Sequence, residues 1–243
     1  MPVPPIIAFD ELDSTNAEAR RRAEAGERGP VWLTAALQTA GRGRRGRHWQ
    51  TARGNLAATY LFTTDKSAGE AAQISFVAAL AAWDLAARYV SSELITLKWP
   101  NDPMIGGRKV GGILVESGAV AGGGVCLAVG TGINLAHSPG ISERPVTAIA
   151  QHMAGEPPTS AAAIEVLREA FAKWETCWLG EGFAAIARAW TAKAHGLGAL
   201  CEARRPNETV AGVAEGLDKD GAFRLRTQDG AIRRITAGDV YFD

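Results

Sequence analysis

Cysteine is scarce in this chain. Cys126, Cys177 and Cys201 are the three among 243 residues, widely spaced and outside any CxxC or Cys/His cluster. That argues against a metal site, and an odd, sparse count fits a reducing cytoplasm. Long apolar runs are missing as well: no window reaches the roughly 18 residues of a membrane span. The start, Met1-Pro2-Val3-Pro4-Pro5, has no charged n-region and no apolar core of a secretory signal. The expected protein is soluble and cytoplasmic. Net charge is absent too, with 26 Lys+Arg against 26 Asp+Glu. A protein that lives on nucleic acid usually carries a basic excess. There is no HExxH, no Ser-His-Asp pattern, no internal repeat and no low-complexity tail.

Against that neutral background stands Gly41-Arg42-Gly43-Arg44-Arg45-Gly46-Arg47-His48-Trp49, with four arginines and three glycines in its first seven residues. Glycine spends backbone entropy in a helix or strand, and neighbouring guanidinium groups repel, so no regular element is expected. The segment should be mobile until an anion gathers the arginines. Glycine lets backbone N–H groups approach an anion, and arginine offers a rigid fork of donors to carboxylate or phosphate. Three readings stay open on this stretch alone: a small-anion site, a nucleic-acid-binding segment and an inert solvated loop.

Hydrophobic residues at 47% and charged residues at 21% over 243 positions suit one large domain, or one large and one small. Ile6 to Phe9 reads as a short strand. Thr15-x-x-Glu18 has capping-box spacing, so a helix is expected from about Asn16 to Ala25, ending at Gly26. Plain capping is the bland reading of Ser14-Thr15-Asn16; the alternative is a set of small groups that read a polar ligand. Val31 to Gln38 and Asn55 to Thr63 read as buried strands joined through the basic loop, and connections that long are functional or disordered. Glu70 to Val90 reads as one helix, with Ile74, Val77, Leu80, Ala81, Leu85 and Tyr89 on its core face. Leu94 to Lys98 is a strand, and Trp99-Pro100-Asn101-Asp102-Pro103 a turn.

Gly106-Gly107 makes a tight turn. Arg108 to Glu116 is expected as one alternating strand, with Lys109, Gly111, Ile113 and Val115 on one face. Gly111-Gly112 within it suggests close backbone approach. Gly122-Gly123-Gly124 is a turn into a strand from Val125 to Gly130. The glycine-rich block from Gly122 to Gly132 lacks the Gly-Lys-Ser/Thr of a phosphate-binding P-loop. Residues 137–158 are loop-rich. Helices are expected over Thr159–Leu179, with Ile164, Leu167, Phe171, Trp174 and Trp178 as a core stripe, and over Phe183–Ala194. From Gly196 the character changes. Val210–Leu217, Ala222–Thr227 and Ala231–Ile235 alternate at period two, with turns at Asp220-Gly221 and Asp229-Gly230. A small five-stranded β-module of SH3-like kind is expected, dividing the chain into residues 1–195 and 196–243.

The polar clusters fall at strand ends and loops: Ser14-Thr15-Asn16, Gln38 with the arginine loop, Lys98 to Asp102 with Lys109, and Asn134. They hold cations, amides and hydroxyls but no nucleophile–base pair. Such a set suits a reaction in which the substrate's own carboxylate attacks phosphorus while the protein positions and neutralises charge.

Five stretches in order resemble the biotin protein ligase family: Asp13-Ser14-Thr15-Asn16; Gln38-Thr39-Ala40 running into Gly41–Arg47; Lys98-Trp99-Pro100-Asn101-Asp102; Lys109-Val110-Gly111-Gly112-Ile113-Leu114-Val115-Glu116; and Gly130-Thr131-Gly132-Ile133-Asn134-Leu135. The resemblance covers about residues 10–243. It implies an α+β fold, with a catalytic domain around a mixed sheet and flanking helices plus the SH3-like barrel. It implies two steps: biotin and MgATP give biotinyl-5′-AMP and pyrophosphate, and a lysine of a biotin carboxyl carrier domain then attacks the anhydride. By the same resemblance Ser14, Thr15, Asn16 and Gln38, with Gly43 and Gly112, would hold biotin. Arg42 and Arg44 would meet its carboxylate and the phosphate. Lys109 would sit on the carboxylate and the α-phosphate oxygens of the nucleotide, and with Arg44 would carry catalysis. Arg47, Trp49, Lys98, Asn101 and Asn134 would serve the nucleotide, with Mg²⁺ as the ATP counter-ion and no metal ligands assigned in the chain. Members often carry Ser-Pro soon after the tryptophan, where this chain has Gln50-Thr51-Ala52-Arg53. The motifs begin at residue 13, so no DNA partner is expected, and a monomer or weak homodimer is. The competing readings are a lipoate–protein ligase, which shares carboxylate adenylation and a central lysine, and a nucleic-acid-binding module built on residues 41–53.

Overall fold

The computed structural model describes residues 3–120, 123–140, 145–205 and 207–242. Of the turn expected at Gly122-Gly123-Gly124, Gly122 lies outside the described residues, and Gly123 N donates to Val120 O at 3.0 Å. Strand β1 (Ile6–Leu12) leads through helix α1 (Thr15–Glu24) to β2 (Val31–Gln38), which pairs with β1 in parallel. Strand β3 (Leu56–Thr64) returns antiparallel to β2. Helices α2 (Ala68–Ala71) and α3 (Ile74–Ala87) follow. Strands β4 (Ile95–Lys98), β5 (Asp102–Ile105) and β6 (Arg108–Lys109) form a small antiparallel sheet. Strands β7 (Gly111–Ala119) and β8 (Val125–Ile133) complete the main sheet, whose order is β1-β2-β3-β8-β7. After α4 (Ser160–Glu181) and α5 (Phe183–Thr191) come β9 (Leu200–Arg205), β10 (Glu208–Leu217), β11 (Phe223–Arg226), β12 (Ile232–Ile235) and β13 (Asp239–Phe242). These five make a separate antiparallel sheet in the order β12-β11-β10-β9-β13. No helix among the described residues is long and apolar enough to cross a membrane.

The core lies between the main sheet and the helices. Trp32 stacks on Tyr60 at 4.8 Å, and Phe171 of α4 meets Tyr60 edge-on at 5.0 Å. Such aromatic contacts add to the area they bury. Helix α3 is apolar nearly all round because it is buried nearly all round, with Ile74, Leu80 and Leu85 fully enclosed. The C-terminal sheet is docked on the rest through Trp99, whose Nε1 donates to Gly221 O at 3.1 Å and whose ring lies 5.7 Å from that of Phe223. Gly221 has φ +89°, and a Cβ there would stand 2.7 Å from the Phe76 ring.

Several expectations give way to tertiary structure. Ser14, not Thr15, caps α1, because Thr15 turns its hydroxyl to Gln38, while Glu18 pairs with Arg21 and Arg22. The single helix expected over 70–90 is two, and a capping box between Ser67 and Glu70 starts the first. Asp102 and Pro103 open β5 instead of lying in the turn. The strand expected over 108–116 breaks at Val110, whose N–H donates to Pro103 O at 3.0 Å and whose carbonyl accepts from Asn134 N at 2.8 Å. The break inverts the expected facing. A Cβ on Gly111 would strike Ile133 Cδ1 at 2.4 Å, whereas one on Gly112 would face Lys109 Nζ at 3.4 Å. Strands β9 and β13, undetected by alternation, complete the five of the small sheet.

Candidate active site

The ends of β2, β7 and β8, the start of α1 and the arginine loop enclose a cleft of about 500 Å³. One end is a polar network built before any ligand arrives. Thr15 donates its N–H and its hydroxyl to Gln38 Oε1, at 2.9 and 3.1 Å, and Gln38 Nε2 donates to Thr51 Oγ1 at 2.9 Å. The fully buried Thr59 hydroxyl lies 2.7 Å from Asn16 Oδ1 and 2.8 Å from Thr15 Oγ1. Asn16 Nδ2 donates to Glu116 Oε2 at 2.8 Å and to Leu114 O at 3.2 Å. Gly130 makes room for this, since a Cβ there would stand 2.2 Å from Asn16 Oδ1. A satisfied network of buried polar groups holds each member in one rotamer.

The middle of the cleft is cationic. Lys109 Nζ donates to Asp102 Oδ1 at 2.6 Å, and Lys98 Nζ lies 3.9 Å from Asp102 Oδ2. Trp49 covers the glycine floor: a Cβ on Gly132 would come within 2.5 Å of its Nε1 and one on Gly112 within 3.2 Å of its ring. Lys109 Nζ sits 5.8 Å from the Trp49 ring centroid. At the far end Asn134 Nδ2 donates to Thr147 O at 3.0 Å. Asn55 fixes the chain beyond it by accepting the N–H groups of Leu135, Ala136 and His137 at 3.0–3.1 Å and donating to His137 O at 2.8 Å.

The arginine loop carries local hydrogen-bonded structure. Gly43 N donates to Arg47 O at 2.7 Å, a 3₁₀ turn spans Arg44–Gly46, and Arg42 bridges to His48. Arg45 takes φ 58°, ψ 32°, the one positive φ outside glycine among the described residues. That left-handed conformation costs roughly 1–2 kcal/mol. The expected mobility assumed four unopposed like charges. The structure supplies a counter-ion from β13: Asp239 pairs with Arg45 at 3.2 Å and Arg47 at 3.4 Å, and Arg44 Nη2 donates to Gly238 O at 3.3 Å. Burial lowers the Arg44 pKa, and the Asp239 and Asp102 carboxylates oppose that shift. Arg42 lies 4.0 Å from Glu116.

Residues 8–134 match the model of the Biotin/lipoate A/B protein ligase family, and residues 196–243 match the Biotin protein ligase C terminal domain. A biotin–[acetyl-CoA-carboxylase] ligase of Paracoccus denitrificans is 41% identical over 235 residues, 95% of this chain and 97% of that protein. The chain belongs to the biotin protein ligase family. The bifunctional ligase/repressor BirA of Bacillus subtilis is 30% identical over 97% of this ligase and 73% of its own length. Among solved structures, the biotin protein ligase of Aquifex aeolicus in complex with biotin and ATP shares the fold, with a TM-score of 0.82 at 24% identity over 98% of this chain and 99% of that one.

The ligase gathers most of the residues named from its sequence. Ser14, Thr15, Asn16, Gln38, Arg42, Gly43, Arg44, Arg47, Trp49, Lys109, Gly112 and Asn134 all line the cleft. Lys98 and Asn101 stand behind its wall, Lys98 against Asp102 and Asn101 with Nδ2 donating to Ile113 O at 3.4 Å. Sequence reasoning assigned no role to Thr59, Glu116, Asp239 or Asn55. Thr59 is a threonine in the mostly apolar first part of β3, which is a usable signal. Asp239, 192 to 194 residues from its partners, has no local one.

Proposed function

We propose that this ligase works by charge neutralisation and positioning in one cleft, in two steps. In the first, a carboxylate oxygen of biotin attacks the α-phosphorus of ATP, the bond to the β-phosphate breaks, and biotinyl-5′-AMP and pyrophosphate form. In the second, the amine of a carrier-domain lysine attacks the acyl carbon, AMP leaves with the bonding electrons, and the amine loses a proton. The observation that carries this reading is the placement of Lys109 and Arg44 beside a prebuilt amide–hydroxyl network within a single cleft.

Two anions must meet in the first step, and their repulsion is greatest where the new bond forms. Lys109 and Arg44 face that point, where cations lower the barrier most. Arg42 lies alongside for the carboxylate. Thr15, Asn16 and Gln38 sit at the end suited to the neutral, hydrogen-bonding ring of biotin, with Ser14 fixing the start of α1. Gly43 and Gly112 leave backbone within reach of the acyl chain. Trp49 offers a flat face to the adenine and Asn134 an amide to its edge. Lys98 and Asn101 act from behind, through Asp102 and Ile113. No group of three His, Cys, Asp or Glu side chains able to hold a metal occurs among the described residues. Mg²⁺, which binds phosphates and water with few protein ligands, enters here as part of the MgATP substrate. The partner in the second step is a biotin carboxyl carrier domain.

The test is incorporation of biotin into a purified carrier domain, read with streptavidin, with lipoate offered in parallel. Transfer of biotin that requires ATP supports the reading. Transfer of lipoate in its place would overturn it.

A further inference from the structure

The four loop arginines do not all point the same way. Arg42, Arg44 and Arg47 line the cleft, and Arg45 and Arg47 converge on Asp239 of the C-terminal sheet, one on each carboxylate oxygen. Asp239 is 8% exposed and itself lines the cleft. It is anchored on its own side by pairing of β13 with β9, where Asp239 stands opposite Arg204. The C-terminal sheet in turn is tied to the catalytic part through Trp99 and Gly221. The clasp therefore joins the loop to a fixed wall. Arg45 adopts its left-handed backbone at the point where the chain turns toward that wall, and local strain of this kind persists where surrounding contacts over-determine it.

Building on the two-step reading above, we propose that Asp239 is a positioning residue that holds the arginine loop closed through Arg45 and Arg47. It leaves Arg42 and Arg44 facing the substrate and sets how long biotinyl-5′-AMP stays in the cleft. Arg47, placed on the nucleotide by family resemblance, belongs to this clasp. Arg45 and Arg47 from the loop pair with its carboxylate, and both Asp239 and Asp102 of β5 act on the charge of Arg44. Breaking one side of a charge pair of this kind speeds dissociation more than it slows association. Salt screens a partly buried pair less than an exposed one, but the Arg45 and Arg47 side chains are 43% and 41% exposed, so the clasp still weakens as salt rises.

The experiment uses the full chain loaded with biotinyl-5′-AMP from biotin and MgATP, freed of excess ligand and followed for release of the adenylate. Asp239→Asn should release it about tenfold faster, label added albumin, and depend on salt less steeply than wild type does. Asp239→Glu should restore slow release. Amide exchange across residues 41–49 without ligand should rise in Asp239→Asn. If Asp239→Asn unfolds, Arg45→Gln/Arg47→Gln breaks the same clasp from the loop side and should give the same fast release. Release at the wild-type rate from a folded Asp239→Asn or from the double arginine variant overturns the proposal. So does equal loss in Asp239→Asn and Asp239→Glu. Failure of wild type to form any adenylate would instead sink the two-step reading on which the proposal rests.

Discussion

Lys109 Nζ and Asp102 Oδ1 stand 2.6 Å apart, both in the cleft lining, with Asp102 the buried partner. The ammonium is oriented before substrate arrives, and the break at Val110 is what turns it inward. A preorganised cation costs no reorganisation when charge accumulates on the reacting phosphate.

Removal of that cation should be felt in chemistry first. Lys109→Ala is expected to slow adenylate formation by about 10²–10³-fold, measured as pyrophosphate release from biotin and MgATP. Asp102→Asn should give a smaller loss, because Lys109 keeps its charge but loses its aim. Pyrophosphate release within a few-fold of wild type in Lys109→Ala would refute the assignment.

Thr59 carries a different burden. Its hydroxyl joins Thr15 and Asn16 at full burial, so Thr59→Val, which keeps the shape, leaves those groups short of a partner. A stability loss of about 1–3 kcal/mol is expected, with the KM for biotin rising more than the KM for ATP. Isothermal denaturation and initial rates at fixed second substrate read the two effects. Equal rises in both KM values would mean that the network does not serve the biotin end.

Glu175 on α4 is mostly buried, and burial pushes its carboxyl from 4.5 up to about 7. Its folded pKa is thus above its unfolded one. Below about pH 4.5 both states are protonated and the group costs nothing. Between there and about pH 7 the unfolded chain ionises first, so stability falls as pH rises, and above that the loss is constant. Glu175→Gln should remove a penalty on the order of 2–3 kcal/mol at pH 8 and little near pH 4.5. Urea midpoints at the two pH values decide it; an equal gain at both would show that burial of charge is not the cause.

The basic loop, the Lys-Trp-Pro-Asn-Asp run and the Lys109–Glu116 stretch were legible because their chemistry is local: a residue type, a spacing and a family resemblance. Most strands and helices were legible too, because hydrophobic period and turn residues are short-range signals. Less legible were elements whose exposure pattern is not simple. Strand β13 is four residues long with two buried neighbours, and in β9 the buried positions are the small Cys201 and Ala203 while Leu200 is exposed. The break between α2 and α3 falls at Ala72 and Gln73, where no glycine or proline marks it, so the sequence reads as one helix.

By itself the sequence determined which chemical groups are present and in what order: arginines among glycines, a lysine before a glycine pair, amides and hydroxyls at strand ends. Those are covalent facts, and they sufficed to point to carboxylate activation. Only the tertiary structure decided which groups meet. Gly112 faces the cleft instead of Gly111 because the chain bends at Val110 to bond with Pro103 and Asn134. Arg45 and Arg47 are opposed because β13, pairing with β9, brings Asp239 beside a loop nearly 200 residues earlier. Charge pairing depends on distance in space, and the fold sets that distance.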